Sequence, residues 1–280
     1  MNDRLRQFLV LVVAISQLII STLGSASSVF SVNGEGDVGT ISDSLRTYFT
    51  PADYAFSVWG VIFLGVIIYS VYQALPSQRE RAVHRSIAGW AMATMIVNTL
   101  WTLVFIQAGE RGTANFQPLI IVASGFMIVF ILFGLGNIYV RLHKQDAALT
   151  RTDRWLITLP WSLFFAWVTV ATVANWSLVG LALGWEGEGI AQYLSAGLTI
   201  VAVAITSAVV LYSRAHVGTI GYTCVVIWAL VAVALGNQDQ SQLVTVVAFA
   251  GAVVVGVVTL VRLARRSSDD ASALLNTARA

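Results

Sequence analysis

The chain has 280 residues, of which 57% are hydrophobic and only 11% are charged. This composition supplies too little polar surface for a water-soluble fold of that length, so it excludes a soluble domain and indicates a membrane protein. The formal charge of +2 comes from basic residues dispersed over several loops. We therefore expect the lipid bilayer as a partner and no nucleic acid.

Eight apolar stretches are each long enough to cross the hydrocarbon core, which takes about 20 residues of helix. We place them at residues 8–24, 53–75, 87–108, 117–140, 156–182, 191–213, 218–236 and 241–263. The sequence therefore predicts an all-α polytopic membrane protein with about eight transmembrane helices.

The basic residues are concentrated in alternate loops. If the N-terminus is cytoplasmic, only Arg46 and Arg111 fall outside, and the other fourteen lysines and arginines fall inside. The fourteen are Arg4, Arg6, Arg79, Arg81, Arg85, Arg141, Lys144, Arg151, Arg154, Arg214, Arg262, Arg265, Arg266 and Arg279. Such a bias sets the orientation of polytopic proteins, because basic loops resist translocation. We expect both termini to be cytoplasmic.

The first apolar stretch allows a second interpretation. Arg4 and Arg6 precede a short apolar run from Phe8 to Ile20, and small residues follow at 24–26. That order is also typical of a cleavable signal peptide. Cleavage would leave seven spans and an outside N-terminus, and both interpretations stay open here.

The longest connection covers residues 25–52 and is predicted to lie outside. Its glycines and serines argue against one continuous helix. Connections of this length are often functional lids, or else disordered. A second outside loop, at 184–189, carries Glu186 and Glu188 between glycines.

The predicted spans lack several kinds of chemistry. No charged residue lies deep within them, and the nearest are Asp53 and Arg262 close to span ends. Ion-coupled transporters keep an ionisable group near the midplane, so driven transport is disfavoured, whereas passive translocation is not. The histidines His84, His143 and His216 fall in predicted cytoplasmic loops, which removes the usual axial ligands of haem. Without a metal-ligand cluster or a catalytic triad, the sequence favours a non-enzymatic protein with no required cofactor.

Tryptophan is abundant, with nine residues. Trp155 and Trp185 lie at span ends, where indole rings typically anchor at the membrane interface. Trp228, in the seventh span, is interpreted as a packing residue. The remaining six lie in spans two, three and five, and they are Trp59, Trp90, Trp101, Trp161, Trp167 and Trp176.

Helical spacing collects these rings into faces that also carry amides. In span two, Trp59, Phe63 and Ser70 lie together. In span three the face consists of Trp90, Thr94, Val97, Trp101 and Phe105, with Asn98 at its edge. In span five it consists of Trp161, Phe164, Val168, Ala171, Thr172 and Asn175, with Trp167 at its edge. Amides in a bilayer usually face other protein, so three such faces turned inward would form an aromatic pocket for a flat apolar ligand. Ordinary helix–helix packing is the alternative.

Spans six to eight have the pattern of structural helices. Ala248, Ala252 and Gly256 form a row of small residues that lets helices approach closely. Cys224 is the single cysteine and is predicted to be a small buried packing residue. Any site is therefore expected in the first five spans.

Three segments resemble a known family. Residues 49–59, FTPADYAFSVW, resemble the entry to the second helix of the translocator protein / tryptophan-rich sensory protein family (TspO/MBR), in which F-[ST]-P-P precedes a Phe and a Trp. Residues 98–105, NTLWTLVF, are similar to its N-x-x-W-[ST]-x-x-F run in helix three. The sequence from Leu159 to Trp161, with Trp167 and Asn175 after it, resembles helix five. The three matches occur in the family's order.

The chain departs from the family pattern at several positions. The second proline of the motif is Ala52, the tyrosine expected after the helix-two tryptophan is Phe63, and the tryptophan expected one turn into helix five is Phe164. Three further spans follow the five-helix unit. The chain is therefore similar to an extended, bacterial member of the family.

The resemblance implies a five-helix bundle over residues 1–185 that binds porphyrins, sterols or similar ligands, with the 25–52 loop as a lid. It also implies a location in the bacterial inner membrane. Residues 186–266 would add three transmembrane helices, and 267–280 a polar cytoplasmic tail. By position, the ligand contacts would be Trp59, Phe63, Asn98, Trp101, Trp161, Trp167 and Asn175.

The resulting hypothesis is a membrane protein that binds a planar hydrophobic ligand, a tetrapyrrole or a sterol-like molecule, between helices one to five for sensing or trafficking. Three alternatives stay open. They are a passive facilitator of lipids or small apolar solutes, an assembly factor that binds partner helices, and a light-dependent enzyme that degrades porphyrin. A second copy of the chain, as a homodimer, is an allowed partner.

Overall fold

The structure is a computed structural model that describes residues 2–26, 30, 37–187, 189–213 and 216–277, with side chains as far as residue 265 except at 25 and 26. Every regular element in these residues is helical. Eight helical segments are long and apolar enough to cross a membrane, which confirms the predicted class and number of spans. Glu188, Arg214, Arg279 and the side chain of Arg266 lie outside the described part.

The helices begin and end within a few residues of the predicted boundaries in most cases. The long ones are α1 (Asp3–Ala26), α3 (Val58–Ala74), α4 (Ala82–Phe105), α5 (Pro118–Lys144), α7 (Leu159–Ala182), α8 (Ala191–Tyr212), α9 (His216–Asn237) and α10 (Gln242–Thr277). Two short helices are α2 (Val38–Ser44), within the predicted lid, and α6 (Arg151–Asp153). A 3-10 turn over Asp53–Ser57 leads into α3, and a π-helical turn over Arg154–Thr158 joins α6 to α7. α10 continues past its predicted end at 263 into the segment predicted as a polar tail.

The helices share one apolar interior. α4 packs against α1 and α5, α7 packs against α5 and α9, and α10 packs against α8 and α9. A continuous cluster of buried side chains runs from Val10 in α1 to Val255 in α10. The last three helices are therefore joined to the first five mainly through α9.

Contacts between loops define the two ends of the bundle. At the end that we call the basic end, Arg81 pairs with Asp153 and Arg141 donates to the carbonyl of Ser86. At the opposite end, the lid end, Arg111 pairs with Glu186 at 2.8 Å. Arg46 lies at the same end as Arg111, where it reaches the carbonyl of Gly236. Which end faces the cytoplasm stays a prediction.

A proline shapes the start of α7. The ring of Pro160 would clash with the carbonyl four residues earlier in a regular α-helix, and the wider π turn just before it relieves that clash. Pro160 packs on Gly65, where an added Cβ would lie 3.2 Å from the proline Cβ. The absence of a side chain at Gly65 thus lets α7 approach α3 closely.

Three sequence predictions about individual residues are wrong. His84 and His143 are buried in helices rather than in loops, because α4 begins at Ala82 and α5 continues to Lys144. His84 Nε2 lies 3.2 Å from Gln78 Oε1, and His143 Nε2 lies 2.7 Å from Ser213 Oγ. Cys224 is exposed on the surface of α9 rather than buried.

A buried ion pair closes the basic end. Asp153 is fully buried, and its carboxylate accepts from Arg81 Nη2 at 2.7 Å and from the Tyr72 hydroxyl at 2.9 Å. It also accepts from the backbone N–H of Thr150 at 2.8 Å, and the Thr150 hydroxyl accepts from the Asp153 N–H at 3.1 Å. This capping box, together with Arg81, ties the α3–α4 connection to the start of the fifth span. Because the predicted fifth span begins at residue 156, the sequence assigned Asp153 to a loop.

Candidate ligand-binding site

An apolar cavity, which we call the aromatic cavity, lies near the lid end between α3, α4, α5, α7 and α9. Its volume is about 70 Å³. Val38 and Ser42 of α2 and residues 49–51 form its roof. Its walls are Phe56, Trp59, Asn98, Trp101, Phe105, Ile128, Ile131, Trp167, Val168, Val170, Ala171, Ala174, Asn175, Leu178, Ala229 and Val233.

Five of the seven candidate residues from the sequence line this cavity. They are Trp59, Asn98, Trp101, Trp167 and Asn175. Helical periodicity therefore identified three faces that share one interior. That these residues contact a ligand stays a prediction.

The other two candidates, Phe63 and Trp161, lie outside the cavity. The ring of Phe63 stacks on Trp59 at 5.2 Å, on the side that faces α1. Trp161 is only 1% exposed and lies towards the basic end, with its ring centroid 5.2 Å from that of Tyr69. Both rings lie behind the side chains that line the cavity and do not line it themselves.

Edge-to-face contacts position the rings of the cavity wall. The Trp59 ring meets Trp167 at 6.1 Å and 78°, and Phe164 at 5.8 Å and 74°. Phe56 meets the other side of this group at 6.1 Å from Trp167. Such T-shaped pairs are favourable because the positive edge of one ring meets the negative face of the other. α3 and α7 are thus held together through their aromatic residues.

The polar groups of the cavity wall are mostly without partners. Asn98 is 2% exposed, and its side-chain amide makes no hydrogen bond within the described residues. The indole nitrogens of Trp101 and Trp167 are also buried without a partner there. Asn175, by contrast, lies 3.2 Å from Ser124 Oγ through its Nδ2. An unpaired buried donor costs about 1–3 kcal/mol, so these groups favour a ligand that accepts hydrogen bonds.

Trp90, from the predicted face of span three, and Trp176, elsewhere in span five, are used for packing. Trp90 lies edge-on to Phe133 of α5 at 5.4 Å, and Trp176 lies edge-on to Phe126 at 5.4 Å. Trp90 shares its helical face with Trp101 but lies three turns nearer the basic end. Periodicity shows which side chains share a face, and it does not show their depth along the cavity.

The seventh span contributes to the site, which the sequence analysis did not anticipate. Ala229 and Val233 of α9 line the cavity. Trp228, interpreted as a packing residue, donates from Nε1 to the carbonyl of Ala55 at 3.2 Å. The only sequence signal for this contribution was a series of small residues in α9 that ends at Gly236. Small residues allow another segment to approach a helix closely.

Fully buried rings lie on the basic side of the cavity, and none of them lines it. Trp161 and Tyr69 fill the space towards the basic end, and the ring of His84 follows 5.9 Å from that of Tyr69. These rings pack the bundle interior between the cavity and the basic end.

A groove lies beside the cavity, between α1, α2 and α3, and we call it the α1–α3 groove. Its volume is about 590 Å³. Leu18, Gly60 and Phe63 lie along it, and Asp43 and Asp53 lie on its polar rim. Val38, Phe56 and Trp59 line both the groove and the cavity. One layer of side chains thus separates the two spaces.

A family model described as TSPO-like protein matches residues 7–261. No curated protein and no solved structure matches the chain. The match extends from α1 into α10, so it includes the last three spanning helices as well as the helices with the motifs of residues 49–59 and 98–105. The chain belongs to the family of TSPO-like proteins.

Proposed function

We propose that this protein binds a flat hydrophobic molecule in the aromatic cavity and acts in the sensing or trafficking of that molecule. The observation that carries the proposal is the convergence of Trp59, Trp101, Trp167 and two amides from three helices on one apolar cavity. Membership of the TSPO-like family supports ligand binding or transport in a membrane in general terms. Tetrapyrroles and sterol-like molecules are the ligand classes that the resemblance implies.

The closed cavity sets a limit on ligand size. Its volume is about 70 Å³. Sites for drug-sized ligands occupy roughly 300–1,000 Å³, so a porphyrin macrocycle does not fit the closed form. A macrocycle would enter only after the roof has moved. α2 is the element suited to this movement, because it has seven residues and its N-terminal cap, Asp37 to Thr40 N at 2.9 Å, is local.

The buried rings on the basic side of the cavity favour binding over passage. A passive facilitator needs a route to each side of the membrane, and Trp161 and Tyr69 fill the space on the basic side of the cavity. Passage would require these two buried rings to move as well as the roof. A site with access near the lid end requires only the roof to move.

Quenching of tryptophan fluorescence by protoporphyrin, in detergent-purified protein, tests the proposal. We expect saturable quenching, and an affinity that falls about 2–10-fold in Trp167→Phe, because the smaller ring gives less contact area and lacks the indole N–H donor. Trp185→Phe is the matched control, because that ring is 54% exposed and lies outside the cavity. Linear quenching that neither substitution changes would mean partition into the micelle and would overturn a tetrapyrrole as the ligand. A sterol that competes with protoporphyrin would extend the ligand class.

A further inference from the structure

We propose that the α1–α3 groove is the second half of the ligand site, and that the ligand is a flat ring with carbonyl groups and a hydrocarbon tail. This is the chemistry of a prenylated quinone. The ring would occupy the aromatic cavity and the tail would lie along the groove. The inference rests on the proposed function, because the cavity must bind the ring.

Continuity between the two spaces is the first argument. Val38, Phe56 and Trp59 belong to the walls of both. A ligand that passes this layer occupies the cavity with one part and the groove with the other. Val38 is the first residue of α2, so the same short helix that roofs the cavity also borders the groove.

The sizes of the two spaces are the second argument. The cavity holds about 70 Å³ and the groove about 590 Å³. The cavity therefore has to expand less to hold one small ring system than to hold a macrocycle. Most of a larger ligand must lie outside the cavity. Leu18, Gly60 and Phe63 give the groove apolar surface, and Thr22 and Thr40 add two hydroxyl groups to its lining. A hydrocarbon tail fits this lining.

The chemistry of the cavity wall is the third argument. Among the described residues, the indole N–H groups of Trp101 and Trp167, which only donate, are buried in its wall without a partner, and the amide of Asn98 makes no hydrogen bond either. No charged side chain lines the cavity among the described residues, so a carboxylate would be buried without a counter-ion. A neutral carbonyl accepts these hydrogen bonds without bringing a charge. This favours a ring with carbonyl oxygens over one that relies on acidic substituents.

Gly60 allows the groove to be tested separately from the cavity. A Cβ at Gly60 would have no atom within 4 Å, so a larger side chain enters open space without displacing the backbone. Gly60→Phe therefore fills part of the groove and leaves the cavity wall intact. Gly89→Phe is the matched control, because Gly89 has equally open surroundings on α4 and lies in neither space.

The experiment compares menadione, the bare naphthoquinone ring, with a menaquinone that carries two prenyl units on the same ring, in lipid nanodiscs. For the wild type we expect saturable binding of both, with the tailed ligand at least about tenfold tighter, because apolar tail carbons become buried. Gly60→Phe should remove this advantage and leave menadione unchanged, and Gly89→Phe should change neither. Methylnaphthalene, which lacks carbonyls, should bind at least about fivefold more weakly than menadione.

The outcomes separate this inference from the proposed function. Equal affinity for the two quinones would rule out the groove as part of the ligand site, and so would an equal loss of affinity for both in Gly60→Phe. Either result would leave the cavity as a binding site. Equal affinity for menadione and methylnaphthalene would overturn the carbonyl assignment. Saturable protoporphyrin binding without any quinone binding would overturn the whole inference and leave the proposed function in place. If neither ring type binds saturably, both fail.

Discussion

The backbone N–H of Ala52 donates a 2.9 Å hydrogen bond to the carbonyl oxygen of Ala232 in α9. A carbonyl within a helix normally accepts only from the residue four positions later, which here is Gly236. Because Gly236 has no side chain, the segment 50–52 can lie directly on α9. Asn237 adds a 3.3 Å hydrogen bond from Nδ2 to the carbonyl of Thr50. The seventh span thus holds one part of the cavity roof in place.

Substitution of Gly236 tests this docking. Glycine to alanine within a helix usually stabilises a protein by about 0.5–1 kcal/mol. In Gly236→Ala the added Cβ would lie 2.8 Å from Ala52 N and 3.0 Å from Thr50 O, so one of the two backbones must shift. We expect a lower melting temperature and, because the roof moves, weaker binding of protoporphyrin. Gly197→Ala, where no atom lies within 4 Å of the new Cβ, should instead raise the melting temperature. An increase in both variants would contradict the docking.

Removal of Arg81 tests the buried ion pair. Arg81→Ala leaves the fully buried carboxylate of Asp153 without its cation, which typically costs about 3–5 kcal/mol. The exposed pair of Arg111 with Glu186 should contribute at most about 1 kcal/mol, so Arg111→Ala is the control. Thermal unfolding in detergent, followed by circular dichroism, measures both. Adding Asp153→Asn to Arg81→Ala should recover part of the loss. Similar small shifts for both arginine variants would show that the buried pair does not stabilise the basic end.

The roof helix should respond to pH through Asp43. Burial raises the pKa of this carboxyl above its usual value of 3.8, and the charges of Asp53 and Asp37 raise it further, while Arg46 opposes them. A carboxyl whose pKa is raised in the folded state contributes stability that is complete below the unfolded pKa and is lost as the pH rises through the folded value. We therefore expect residues 38–45 to exchange amide hydrogens more readily at about pH 7 than at about pH 3.5, after correction for intrinsic rates. Asp43→Asn should remove this extra dependence, and an unchanged pH profile would rule out Asp43 as its source.

The orientation of the bundle is open to a labelling experiment. The basic loops predict that the basic end is cytoplasmic, because basic loops resist translocation. In a Cys224→Ser background, Thr113→Cys lies in an exposed loop at the lid end, and Ala147→Cys lies in one at the basic end. An impermeant maleimide should label Thr113→Cys in intact cells and Ala147→Cys only after permeabilisation. The reverse pattern would invert the topology.

Sequence reasoning went furthest where helical geometry decides the answer. The 3.6-residue period places Asn98 and Trp101, and also Trp167 and Asn175, on faces that the structure brings to one cavity. Periodicity does not show depth, so it included Trp161, which lies behind the wall.

Long-range contacts left little trace in the sequence. Ala229 and Val233 are ordinary small apolar residues of a spanning helix, and only their neighbours in space make them part of the site. The ion pair was missed because Asp153 lies just before the estimated start of its span and its partner Arg81 is 72 residues away. Such contacts depend on tertiary packing, which local pattern does not report.

Filling the aromatic cavity is the most direct test of whether it binds the ligand. Ala174→Leu adds three carbon atoms to a cavity of about 70 Å³ and leaves every aromatic residue and amide in place. The matched control is Ala250→Leu, on the exposed face of α10. We expect saturable quenching by protoporphyrin to be lost or weakened about tenfold or more in Ala174→Leu and to be unchanged in Ala250→Leu. If Ala174→Leu folds with a normal melting temperature and binds as tightly as the wild type, the ligand does not occupy the aromatic cavity.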